Sequence, residues 1–404
     1  MPEDLSSLIK SCVKRSGGAI TISQLSDVDT PYHLRMPFGI ADLDAALKGG
    51  LPCGTVNQIF APDGVGKNML AYMLMAECQR IHGDASNIMF LSFGYKPDVD
   101  FVRKCGVKVY RTDYELKALG VDPSHITAED LGEQVGNVYF TDAAAVEDDE
   151  DDPKKKKKKK KDPLASTEEE EAPAEAVLTA ASDMIASGKF QLIIIDEMAS
   201  GETKDDVAKT LKENSRMATW ANLVTQFIKK VYTGLRKRTE DGSANATCIV
   251  VLQPVRANMD ANTAKFVPHS IPSGYALKHA KAIDLHLKNG GAVTRGGKKV
   301  GKIVKWKISK GKFGLGEGAE GEFEFIHYDE AGNGGVDKIT LLANTAMAHG
   351  VITRKGAFYY ILNYEDRVEG GMERVTEILR GSPELVEEVR AALLSAAVDG
   401  EVPE

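Results

Sequence analysis

The chain has 404 residues, of which 43% are hydrophobic and 27% charged, with a formal net charge of −8. That balance excludes a mainly unfolded chain and leaves room for one large core with accessory lobes. No apolar run approaches the ~20 residues of a bilayer span, MPEDLSSLIKSCVKRS lacks the apolar stretch of a signal peptide, and five scattered cysteines with no CxxC pair suggest neither a disulfide framework nor a zinc site.

The pattern therefore leads to the expectation of a cytoplasmic protein with no membrane association. The acidic total argues against nucleic-acid binding, but charge is unevenly placed: acids crowd 147–175, whereas 278–312 carries ten lysines and Arg295 against a single acid, Asp284. A local basic patch is available.

In chain order, Leu5, Leu8, Ile9 and Val13 have helical spacing over 4–15, and Gly17-Gly18 then leads into a strand-like AITISQL. Residues 1–33 read as an N-terminal helix-strand arm, either packed on its own core or used for oligomerisation. From Met36 strands and helices alternate: TVNQIFA, a helix from about 66 to 81, NIMFLSF, a helix near 98–105, and NVYFTDA. QLIIIDE, a helix around 216–238, TCIVVLQ and KAIDLHL continue the pattern. Uninterrupted apolar runs such as Leu192–Ile195 and Ile249–Leu252 predict strands covered on both faces, hence an α/β fold with a mostly parallel sheet over 34–334.

A charged stretch, EDDEDDPKKKKKKKKDPLASTEEEEAPAE, has almost nothing apolar to bury and predicts a disordered insertion at about 146–176. EGEFEFIHYDEAGN reads as a strand and turn. ITLLANTAMAHGVI, AFYYIL and PELVEEVRAALLSAA then outline a small α+β C-terminal lobe over 335–404.

Two motifs carry chemistry. Ala61, Pro62, Asp63, Gly64, Val65, Gly66, Lys67 and Asn68 follow a strand and open a helix, with Met69 next. Glycines let backbone N–H groups wrap phosphate oxygens, Lys67 adds charge toward the β and γ phosphates, and a helix N-terminus favours the anion. Ala61 replaces the first glycine of GxxxxGK[ST], and Asn68 replaces the hydroxyl that would ligate Mg²⁺, leaving a neutral amide oxygen for the metal. The second motif is the apolar strand ending in Asp196, an acid suited to the water shell of Mg²⁺. Glu197 follows and can polarise water, although a solvated acid is the alternative.

These residues resemble the RecA family, including its phage UvsX branch. PFGIADLDAALKGGLPCGTVNQIFAP, FVRKCGV, SGKFQLIIIDE, VVLQPVRANM, SGYALKHAKAIDLHLK, KIVKWKISKGKFG and AMAHGVITRKGAFYYILN carry the resemblance. It implies a P-loop ATPase core with ATP and Mg²⁺ as cofactors. Its partners would be single-stranded DNA, homologous duplex DNA, further copies of itself in a helical filament, and single-strand-binding or mediator proteins. The expected setting is the nucleoid or a phage-infected host cytoplasm.

Residue by residue, the resemblance makes Gln253 the sensor of γ-phosphate, sets Asp98 and Phe101 beside adenine, and gives Lys305 and Lys307 to the ATP of an adjacent protomer. It assigns DNA contacts to Arg256, Asn258, Lys265 and Phe266 in one loop, and to Lys204 and Arg216 in another. Where the family has a glutamate that activates water, this chain has Gly94 or a gap, so Glu197 becomes the candidate base. The readings that follow are a strand-exchange recombinase, a filament that binds ATP and DNA but scarcely hydrolyses, and a hexameric RecA-fold helicase.

Overall fold

The computed structural model describes residues 5–17, 22, 24, 26, 28–122, 125–142, 173–201, 217–257, 269–270, 274–327, 334–362, 364 and 367–399. Helix α1 (Leu5–Arg15) forms as the spacing predicts, with none of its residues buried. The predicted strand AITISQL lies mostly outside the described residues. A short strand β1 (Arg35–Met36) then pairs antiparallel with β2 (Leu51–Pro52), and helix α2 (Ala41–Ala46) lies between them.

The core alternates as expected: β3 (Val56–Ala61), α3 (Lys67–His82), β4 (Asn87–Ser92), α4 (Val99–Lys104), and two short helices, α5 (Asp113–Ala118) and α6 (Ala128–Leu131). Both short helices start on capping boxes, Thr112 with Glu115 and Thr127 with Asp130, which satisfy their orphan N–H groups. Strand β5 (Asn137–Asp142) follows. The predicted insertion lies outside the described residues up to 172, but its last residues open helix α7 (Pro173–Ser187). Then come β6 (Leu192–Asp196), α8 (Met217–Leu235), β7 (Cys248–Pro254), the short pair β8 (Arg256–Ala257) and β9 (His269–Ser270), and α9 (Gly274–Ala280).

Strands β10 (Ile283–Arg295) and β11 (Lys298–Gly311) form a hairpin, and β12 (Glu320–Ile326) pairs with its second arm. The hairpin loop is Gly296-Gly297, with φ of 56° and 78°, and Arg295 opposite Lys298 closes it. Two successive positive φ values suit a loop twist compatible with the strands, and glycine adopts them without a Cβ clash.

The eight-stranded sheet runs β12-β11-β10-β3-β7-β6-β4-β5. From β10 through β5 neighbours are parallel; the β10-β11-β12 edge is antiparallel. Side chains of the central strands alternate between two cores. Ile59, Ala61, Leu192, Ile194, Val250 and Leu252 join α3 on one face; Val56, Ile193, Ile195, Ile249 and Val251 join α7 and α8 on the other. That is why these strands read as unbroken apolar runs.

Beyond β12, α10 (Lys338–Ala348), the hairpin β13 (Ile352–Lys355) and β14 (Phe358–Ile361), α11 (Gly371–Gly381) and α12 (Pro383–Asp399) gather around a third core. Ala45 of α2 belongs to that core. Among the described residues no helix is long and apolar enough to cross a membrane.

Candidate active site

Because β3, β7, β6 and β4 are parallel neighbours, their C-terminal ends share one edge: Ala61 pairs with Pro254, Asp196 with Leu252, and Ser92 with Asp196. An open parallel sheet presents its ligand crevice at such an edge. The loop after β3 crosses this edge and turns on Gly64 and Gly66, with φ of 72° and 130°. Gly66 then caps α3, whose first N–H groups have no carbonyl a turn earlier to bond within the helix.

Lys67 is buried, its Nζ donating to Ala61 O at 3.1 Å and lying 3.3 Å from the exposed Asp63 Oδ1. A buried ammonium held by a loop carbonyl is a cation arranged for an anion. Val65 and Met69 point into the first core, so they contribute backbone to the crevice, while Pro62, Asp63 and Gly64 lie exposed on the loop.

Asn68 and Asp196 come together: Nδ2 of Asn68 donates to Asp196 Oδ2 at 2.8 Å. The other oxygen, Oδ1, is buried without a partner among the described residues. Burial raises the Asp196 carboxyl to about 6, and neighbouring Glu197 adds to the rise; the Asn68 bond and Lys67 oppose it. A buried carboxylate with one unused oxygen, one turn from a phosphate-type loop, fits a hydrated divalent cation. Tyr72 lies one helical turn after Asn68, and burial pushes the Tyr72 hydroxyl up to about 12.

Glu197 holds a left-handed backbone, φ 51° and ψ 39°. For a residue with a Cβ this costs on the order of 1–3 kcal/mol and persists where surroundings enforce it. Its side chain leans back over the end of β4, so that a Cβ added to Gly94 would stand 2.5 Å from Glu197 Oε2. The carboxylate of Glu197 thus fills the space that a side chain at position 94 would enter.

Gln253 is fully buried at the end of β7, beside Phe60 of β3, and neither its Oε1 nor its Nε2 has a partner among the described residues. An unpaired buried amide is costly, and Gln58 next to it in the sheet shares that state. Asp98 caps α4, accepting from the N–H groups of Asp100 and Phe101. The Phe101 ring packs edge-on against Tyr72 and Phe325, with centroids 6.1 and 5.9 Å away. Both residues therefore already have local structural duties.

Lys305 and Lys307 lie farther along the sheet. Both project from the face of β11 opposite Val304, Trp306 and Ile308, which are buried, and both pair across to β12: Lys305 with Glu322 at 3.5 Å and Lys307 with Glu320 at 3.2 Å. Exposed pairs of this kind are worth roughly 0–1 kcal/mol, so the lysines are cheaply released. Of the expected DNA contacts, Arg256 sits in β8, whereas Lys204, Arg216, Asn258, Lys265 and Phe266 lie outside the described residues.

Sequence reasoning missed Tyr72 and Lys302. Tyr72 at i+4 from Asn68 was legible as a same-face neighbour. Lys302 was one of several lysines in a basic run, and only the fold brings it to the loop, where its Nζ donates to Gly64 O at 2.9 Å.

A family model described as the RecA N-terminal domain matches residues 152–328. The chain is 25% identical over 381 residues to Protein RecA of Aquifex pyrophilus, spanning 94% of this chain and 88% of that protein. It is 27% identical over 365 residues to Protein RecA of Thermus aquaticus, spanning 90% and 85%. With Protein RecA of Citrifermentans bemidjiense it shares 22% identity over 399 residues, 98% and 96% of the two chains.

Proposed function

Since the chain belongs to the RecA family, homologous to RecA proteins across most of its length, we propose that it is an ATP-dependent recombinase that forms filaments on single-stranded DNA. In this reading it pairs the bound strand with homologous duplex and exchanges strands, in the cytoplasm or nucleoid and with single-strand-binding and mediator proteins as helpers. The observation that carries the reading is the set of groups at the ends of three adjacent strands: Lys67 after β3, Gln253 on β7 and Asp196 on β6.

Lys67 and the N–H groups of the loop hold the β and γ phosphates. Asp196 and Asn68 would hold Mg²⁺, which would supply positive charge against the phosphates. Gln253, buried without a partner at the root of the segment 254–273, turns toward the γ-phosphate and thereby orders Arg256, Asn258, Lys265 and Phe266 on DNA, with Lys204 and Arg216 in the other loop. Asp98 and Phe101 border the base. Lys305 and Lys307 exchange Glu322 and Glu320 for the nucleotide of the next protomer. Glu197 acts as general base in place of a residue at position 94, with its proximity to Gly94 as support.

A second reading, a filament that binds ATP and DNA with scarcely any turnover, is favoured by Asn68 in the metal position and glycine at position 94. ATP turnover with and without single-stranded DNA, joint-molecule formation and electron microscopy separate them. DNA-stimulated turnover with joint molecules is expected; filaments without either support the scaffold, and closed rings support a hexameric motor. Glu197→Gln should lower turnover ~10²–10⁴-fold while nucleotide binding persists. The paired exchange Gly94→Glu with Glu197→Gly should recover part of that loss, since it returns one carboxylate to the same space.

A further inference from the structure

Strand β11 carries lysines on both of its faces. Residues 301–307 pair with β12 in unbroken register, so Lys302, Val304 and Trp306 share the inward face while Lys305 and Lys307 take the other. Lys302 is half-buried, its ammonium 6.0 Å from the centroid of the Phe325 ring, and it donates to Gly64 O of the phosphate loop at 2.9 Å. A Cβ on Gly66 would lie 3.7 Å from the same nitrogen, so the lysine reaches the loop at two successive glycines.

A trans peptide points its C=O and its N–H in opposite directions. A cation fastened to the Gly64 oxygen from the β11 side therefore turns the N–H of Val65 away from β11. Gly64, at φ 72° and with open space where a Cβ would stand, has no side chain to hold this peptide. Such a loop needs an external restraint to keep its donors converged on an anion.

We propose that Lys302 is that restraint: a positioning residue that fixes the Gly64–Val65 peptide for phosphate binding and joins the loop of its own subunit to the strand bearing Lys305 and Lys307. The proposal rests on the nucleotide reading above and adds to it a mechanical link: occupancy of one loop is felt along β11, whose opposite face carries the lysines directed at a neighbour. Lys302 touches no substrate and acts through the backbone of the loop.

The test uses the full chain with MgADP and MgATP as probes. Lys302→Met should weaken nucleotide binding about tenfold to a hundredfold, the size of one lost charge-assisted hydrogen bond. It should raise KM for ATP while kcat at saturating ATP is largely kept, because a positioning role is repaired once the loop is filled. Lys302→Arg, which can still reach a carbonyl, should restore most of the affinity, and the melting temperature without nucleotide should match the parent for both variants. Unchanged affinity in Lys302→Met overturns the proposal, as does an affinity loss that Arg fails to repair and that accompanies a lowered melting temperature. If the parent chain binds neither MgADP nor MgATP, the nucleotide reading itself falls and takes the proposal with it.

Discussion

A carboxylate at the end of a buried strand gains water or a cation, or else keeps a proton, and Asp196 shows this contest. Burial sets its carboxyl to about 6, above the ordinary aspartate range. A cation binds the ionised form only, so metal-nucleotide affinity should rise with pH and level off above 6, falling about tenfold per pH unit below it. Calorimetric titration with MgADP from pH 5 to 8 checks this, and Asp196→Asn should bind weakly with the slope removed. At this scale much was legible: Lys67 and Asp196 each sit in a short motif whose chemistry follows from neighbours in sequence. The Asn68–Asp196 bond, the lean of Glu197 toward Gly94 and the Lys302 clamp were not, because each joins residues far apart in the chain.

Among elements, helix α7 was hidden by its neighbour. Ala174, Leu178, Ala181 and Ile185 are buried at helical spacing, but the charged run directly before them has almost nothing apolar to bury and masks the start of the helix. Leu178 packs with Val224, Phe227 and Ile228 in the second core. Leu178→Ala should cost roughly 2–5 kcal/mol in chemical denaturation, the usual range for a leucine removed from a core. A loss well under 1 kcal/mol would mean that α7 does not seal this face of the sheet. The β10-β11 hairpin exceeds the predicted segment KAIDLHL for a different reason: its outer half is largely polar and exposed, held by cross-strand pairing and a two-glycine loop that apolar alternation cannot detect.

For the whole molecule, a buried charge joins helix α3 to helices α10 and α12. Glu77 of α3, 3% exposed, meets Lys338 of α10 at 2.7 Å, Arg80 at 2.7 Å and Arg390 of α12 at 3.8 Å. Burial works against its ionised form, but Lys338 and Arg80 outweigh burial and leave its carboxyl lowered. Its contribution is therefore present above the ordinary glutamate range and lost as pH falls through its folded value. Asp44, which accepts from the N–H groups of Phe38 and Gly39, has the opposite sign: burial raises it to about 8, so its contribution is full near pH 4 and declines as pH rises toward 8. Glu77→Gln should destabilise the fold by roughly 3 kcal/mol, the scale of a buried pair broken on one side. Asp44→Asn should flatten the decline in melting temperature between pH 5 and 8; an unaltered slope would show that Asp44 does not control it.

The sequence by itself determined the alternation of strands and helices, the phosphate loop, the acid-terminated strand and the α/β class, because those features depend on local periodicity and on motifs a few residues long. Tertiary structure alone decided strand order, and strand order set the candidate edge: it inserted Gln253 between Lys67 and Asp196, carried Glu197 over Gly94 and brought Lys302 to Gly64. The first group follows from what a backbone and its nearest side chains prefer. The second depends on which distant strands become neighbours, and that is fixed only when the whole sheet closes around its two cores.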